Sequence, residues 1–143
     1  MTDAARQILL VILLLGLAGI SLELWLLNHV EDAYMLIPLV LNAAAFIAAG
    51  LVAMRPSLAT VRLFQGVMVL LLISAVLGMW LHFQVNMEFQ LEMDPQLSGL
   101  ALFRKAIVAK TPPAMAPGAM LQLSLIGLAY TFMHPALSRE GKR

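Results

Sequence analysis

Apolar residues run through this chain in four long stretches, separated by short polar breaks. The first covers about residues 7–28, roughly 22 residues, which suffices for a ~30 Å hydrocarbon core at 1.5 Å per residue. It ends in the polar cluster Asn28-His29-Val30-Glu31-Asp32. The second covers about 33–54 and is closed by Arg55-Pro56, because proline removes a backbone donor and disfavours helix in the residue before it. The third covers about 63–83. The fourth, about 117–134, opens at Pro117-Gly118, with proline suited to a first helical turn, and closes at His134-Pro135. The pattern predicts an all-α membrane protein, a bundle of four transmembrane helices forming a single domain over residues 1–143.

Residues 84–116 are patterned differently. From Gln84 to Glu92 polar and apolar residues alternate, which fits an extended, half-buried segment. The alternative is that the third helix continues past the membrane and sets Glu88 and Glu92 one turn apart. Beyond Asp94-Pro95, the stripe Leu97, Leu100, Phe103 and Ile107 predicts an amphipathic interfacial helix over 95–109, with Asp94 as its N-cap and Arg104 and Lys105 flanking the apolar face. Thr111-Pro112-Pro113 breaks it.

Composition strengthens the membrane reading: 62% of the 143 residues are hydrophobic and 12% charged, where a soluble domain sits near half and a quarter. A net charge of +1 gives no case for a nucleic-acid partner. The absence of cysteine removes disulfides, thiolate metal sites and thiol nucleophiles. Arg6 before an apolar run resembles a signal peptide, but the run reaches Leu27 without a small-residue cleavage site. Arg6, Arg55, Arg62, Arg139, Lys142 and Arg143 fall on one side of an even-span topology, against Arg104, Lys105 and Lys110 on the other. That bias predicts cytoplasmic N- and C-termini in a bacterial inner membrane, with the first and third loops outward. On the second span, Ala43-Ala44-Ala45 and Ala48-Ala49-Gly50 place small residues four apart, which expects close helix approach centred there. Trp25, Tyr34, Trp80 and Tyr130 fall near span ends and read as interfacial anchors.

The polar residues within this pattern are few. Glu23 lies about five residues inside the first span, where an unpaired carboxylate costs ~2.5–3.5 kcal/mol or more. His29 and His82 close the first and third spans at one depth, near Asp32, Glu88 and Glu92. Imidazole and carboxylate together are what a divalent transition metal accepts, so Glu23, His29, Asp32, His82, Glu88 and Glu92 form the candidate metal set. Haem ligation by His29 and His82 is disfavoured, since both sit at helix ends close to water. Asn42, Gln122 and Ser124 could join Glu23 in one hydrogen-bonded cluster that satisfies its carboxyl structurally. No catalytic constellation is legible, so an enzyme is not expected.

Three stretches resemble a group of small bacterial integral membrane proteins with no assigned function: Glu23-Leu24 with His29-Val30-Glu31-Asp32; Glu88-Phe89-Gln90-Leu91-Glu92 to Gly99; and Thr111-Pro112 through Pro117-Gly118 to Tyr130-Thr131 and His134-Pro135. The resemblance implies a bacterial inner-membrane location and adds nothing to mechanism. Two functional classes follow. One is a small accessory subunit packed among other subunits, or a homo-oligomer, in a larger redox or photosynthetic membrane assembly. The other is a metal-binding or metal-handling protein built on the His–carboxylate set. A transporter is weaker, because no polar path runs through all the spans.

Overall fold

The computed structural model describes residues 2–26, 36–109 and 115–138. Regular structure among them is wholly helical: α1 (Asp3–Leu26), α2 (Leu36–Met54), α3 (Leu58–Met93), α4 (Gly99–Ile107), α5 (Met115–Thr131) and the single turn α6 (Pro135–Ser138). By length and composition α1, α2 and α3 can each cross a membrane. Their outward side chains are large and apolar, Leu15 being 70% and Ile47 65% exposed, so the surface suits lipid rather than water. That marks a membrane-embedded protein.

Several boundaries follow from local chemistry. α2 stops at Met54, before Arg55-Pro56, as the proline requires. α3 starts at Leu58, five residues before the expected 63, because Ser57 and Thr60 form a reciprocal cap: the Ser57 hydroxyl accepts from the Thr60 amide (3.2 Å) and the Thr60 hydroxyl from the Ser57 amide (2.9 Å). At its far end α3 runs on unbroken to Met93, so 84–93 is helical rather than extended. Asp94 does not cap α4 as expected. It ends α3, its carboxylate accepts the Gln96 amide in a local turn (3.3 Å), and the shorter α4 begins at Ser98-Gly99, with Gly99 at φ +54°. α5 carries Pro117 in its first turn, where a missing amide costs nothing. It ends at Thr131, ahead of the expected 134.

The four long helices pack in a closed ring: α1 on α2, α2 on α3, α3 on α5, and α5 back on α1. Their buried positions repeat at alternating steps of three and four: Leu13, Leu17, Ile20 and Leu24 on α1; Asn42, Ala45, Ala49 and Val52 on α2; Val61, Phe64, Met68, Leu71 and Ala75 on α3. A 3.5-residue repeat keeps one seam facing the neighbour when helices cross at about 20°. Neighbours run antiparallel. Gly78 meets Pro117 while Gly127 meets Met68, and Arg6 meets Met133 while Gly16 meets Leu123. The ends of α1, α2, α3 and α5 that carry Arg6, Arg55 and Arg62 therefore share one side, called here the basic end.

Small residues line the helix contacts: Gly16, Gly78 and Gly127 each sit against a side chain of a neighbouring helix, whereas Gly50 of α2 has open space beside it. A Cβ on Gly127 would overlap Met68 Sδ and stand 2.8 Å from Met68 Cγ; one on Gly16 would overlap Leu123; one on Gly78 would stand 3.3 Å from Pro117. On α2, Ala45 and Ala49 are buried as the four-residue spacing requires, whereas Ala43 faces outward.

The level of α5 also shows how far α3 projects. Gly78 is level with Pro117, so the start of α5 is level with about residue 80, and α3 continues roughly 20 Å beyond it at 1.5 Å per residue. α4 folds back on that projection. The Phe83 and Phe103 rings meet across the pair at 5.5 Å with their planes tilted by 59°, and Lys105 pairs with Asp94 at 3.7 Å.

Candidate functional site

Of the candidate metal set, His29 and Asp32 lie outside the described residues, as does Tyr34. His82 is half-buried on the inward stripe of α3, seven residues beyond Ala75 and four before the buried Asn86. Glu23 is half-buried on α1, adjacent to Leu24 of the seam. Glu88 and Glu92 are exposed one turn apart on the projecting part of α3, off the stripe that holds His82. Among the described residues no group of three or more His, Asp or Glu side chains comes together. The helical geometry explains it: positions six and ten residues beyond His82 cannot share its face.

The expected cluster of Asn42, Gln122, Ser124 and Glu23 does not assemble. Asn42 is fully buried and its amide crosses to α1, donating to the Leu17 carbonyl (2.7 Å) and the Ser21 hydroxyl (2.6 Å). Ser124 donates back to the Leu121 carbonyl of its own helix (2.7 Å), and Gln122 faces outward. The Asn42 bond is an α1–α2 tie. It also leaves Asn42 Oδ1 buried with no partner among the described residues, a penalty that offsets part of its gain. Asn42→Leu is therefore expected to change stability by less than about 1 kcal/mol, since interhelical bonds in bilayers average well below 2 kcal/mol. Thermal unfolding in detergent micelles checks this; collapse of the fold in Asn42→Leu would show that the amide does more than join two helices.

A second polar group, at the basic end, was not visible in the residue pattern. Arg6 is 11% exposed and reaches across from α1 to donate to the Met133 carbonyl at 2.7 Å. Met133 takes the left-handed conformation, φ 51°, just past the end of α5, which turns that carbonyl toward Arg6. The neighbouring Asp3 pairs with Arg6 at 3.3 Å but is 94% exposed and contributes little. Gln65 of α3 donates to the Thr131 hydroxyl (3.1 Å), which in turn donates to the Leu128 carbonyl (2.8 Å). Tyr130 is buried against Phe64, ring edge to face at 5.9 Å, rather than exposed as an interfacial anchor; Trp25 and Trp80 do face outward.

His134 follows the turn after α5. Burial first, and the Arg6 guanidinium second, hold its imidazole below the ordinary histidine range. The neutral ring fits its bond, in which Nδ1 accepts the Ala136 amide at 3.2 Å and starts α6. Arg6, Tyr130, His134 and Pro56 line a cleft of about 290 Å³ at this end. Arg6 and His134 there bond mainly to backbone, the Met133 carbonyl and the Ala136 amide, so the arrangement fastens the end of α5 to α1 rather than pairing a nucleophile with a base. Comparison with known proteins returns no match for this chain among family models, curated proteins or solved structures.

Proposed function

We propose that the chain is a small four-span accessory subunit of a larger assembly in a bacterial inner membrane, a single membrane domain with both termini cytoplasmic. In this arrangement α5 is the fourth span, α4 lies at the outer interface, and the basic end faces the cytoplasm, where lysine and arginine accumulate.

One observation carries the proposal. α3 is 36 residues, about 54 Å, against ~40–45 Å for a bilayer with its headgroups, and its projecting part is apolar on the outside. Val85, Phe89, Leu91 and Met93 are exposed there, and α4 adds Leu100, Phe103 and Ile107. An apolar patch above the hydrocarbon region, rimmed by Glu88, Glu92 and Arg104, has the make-up of a protein–protein surface.

The test is purification in mild detergent from the native membrane, comparing the wild type with Phe89→Asp. Another integral membrane polypeptide in fixed ratio, lost in Phe89→Asp while the helical content is unchanged, is the expected result. A monodisperse chain with no partner and one stoichiometric divalent metal would sink the subunit proposal and turn attention to the His–carboxylate set. Elemental analysis of the same sample supplies that outcome.

A further inference from the structure

α3 and α5 meet along a shallow groove of about 760 Å³ on the outside of the ring, close to the basic end. Its two ends differ in chemistry. At the mouth stand Arg62 and Gln65; deeper in, the lining is Gly66, Val69, Leu70 and Leu128. From Arg62 to Leu70 the groove runs roughly 12 Å along α3. Arg62 is exposed, and the ion pairs among the described residues, Arg6–Asp3 and Lys105–Asp94, do not use it. Gln65 is engaged by its bond to Thr131, which leaves the Arg62 guanidinium as the polar group free to meet a ligand at the mouth. Gly66 makes the hollow: a Cβ placed there meets nothing within 4 Å.

We infer that this groove binds one anionic phospholipid, with the phosphate on Arg62 and an acyl chain laid over Gly66 toward Leu70 and Leu128. The inference rests on the proposal that α3 and α5 cross a membrane with Arg62 at its cytoplasmic face. The cation lies at the water side of the groove and the apolar lining points into the bilayer, which is the polarity of a phospholipid. A guanidinium offers several donors in a plane to phosphate oxygens, and basic sites between spanning helices on the cytoplasmic side recognise anionic headgroups in this way. A helix from a second copy would fill the hollow at Gly66 equally well, but the groove itself gives Arg62 no anionic partner, since no acidic side chain lines it.

Two substitutions separate the parts of the site. Arg62→Gln removes the charge at an exposed position, and Gly66→Leu fills the hollow where there is open space, so both leave the ring intact. The measurement is native mass spectrometry of the detergent-solubilised chain after equilibration with equal amounts of phosphatidylglycerol and phosphatidylcholine of identical acyl chains. The wild type is expected to retain phosphatidylglycerol in preference. Arg62→Gln should lose roughly tenfold of that preference, the order of one charge-assisted contact. Gly66→Leu should lose retention of both lipids. Equal retention of the two lipids by the wild type, or unchanged retention in either variant, would overturn the inference. So would a dimer that disappears in Gly66→Leu without any lipid bound, which would give the groove to a second copy. Alkaline carbonate washing of the starting membranes tells the two failures apart. A chain that washes off was never spanning, and both proposals fall; a chain that stays while retaining no lipid loses only the groove.

Discussion

Gly127→Leu is expected to lower the unfolding midpoint of the purified chain sharply, while Gly19→Leu leaves it nearly unchanged. Both add the same side chain to an apolar helix, and both gain helix propensity over glycine. They differ in what the new atoms meet. At Gly127 even a Cβ overlaps Met68 Sδ and comes within 3.2 Å of Phe64 Cζ; at Gly19 it meets nothing within 4 Å. Met68 and Phe64 are both fully buried, so neither can swing out of the way without opening the seam between α3 and α5. Overpacking of that kind costs ~1–3 kcal/mol, and a whole isobutyl group belongs at the upper end. Gly127→Ala should fall between, because one methyl demands a smaller displacement of Met68 than an isobutyl group does. Circular dichroism melts in one detergent decide it, and similar losses at Gly19 and Gly127 would show that the ring is not closed by α5.

Arg6→Ala should loosen the basic end without unfolding the ring. The substitution removes a donor from the Met133 carbonyl and releases the turn that carries His134 and α6. Bonds to a charged group contribute about 1.5–3 kcal/mol, but Arg6 also buries an Nε that has no partner among the described residues, so the net loss is put at about 1–2 kcal/mol. The signature is local. Amide exchange at His134, Ala136 and Leu137 should quicken, with α2 and the centre of α3 unaffected. Asp3→Ala should change little, given its exposure. Unchanged exchange in Arg6→Ala would mean that α5 is held at this end by apolar packing alone.

The helices that can cross a membrane were legible because lipid-facing and buried positions are both apolar, and a long apolar run needs no finer reading. The same property hid the ring. With Leu15 facing out and Leu13 facing in, no contrast in polarity picks out the seam, and only the alternating three–four spacing of Leu13, Leu17, Ile20 and Leu24 carries it. Residues 84–93 left the extended and helical readings both open for a related reason. Along that projection the inward positions His82, Asn86 and Gln90 are polar and the outward ones, Val85 and Phe89, are apolar, so the pattern mimics the alternation of an extended segment. The start of α3 was recoverable from Ser57-x-x-Thr60, a capping pair in which threonine stands in for the usual glutamate. Arg6 was read from the sequence as one of the basic residues that bias topology. Its bond to Met133 was not, because the two are 127 residues apart and nothing local links them. Asn42 was expected to satisfy Glu23; its partners on α1 depend on helix rotation, which a hydrophobic run does not specify.

The closing of the ring by α5 has a consequence for how the protein is made. α5 is the last of the four long helices to leave the ribosome, yet it supplies the contacts for two earlier ones: Gly127 for Met68 on α3, and Leu123 for Gly16 on α1. Until it arrives, the seams of α1 and α3 that it will cover stand open in the nascent chain. Folding therefore cannot proceed to completion helix by helix during synthesis, and any factor that shelters newly inserted segments has most to protect in the interval between the emergence of α3 and that of α5.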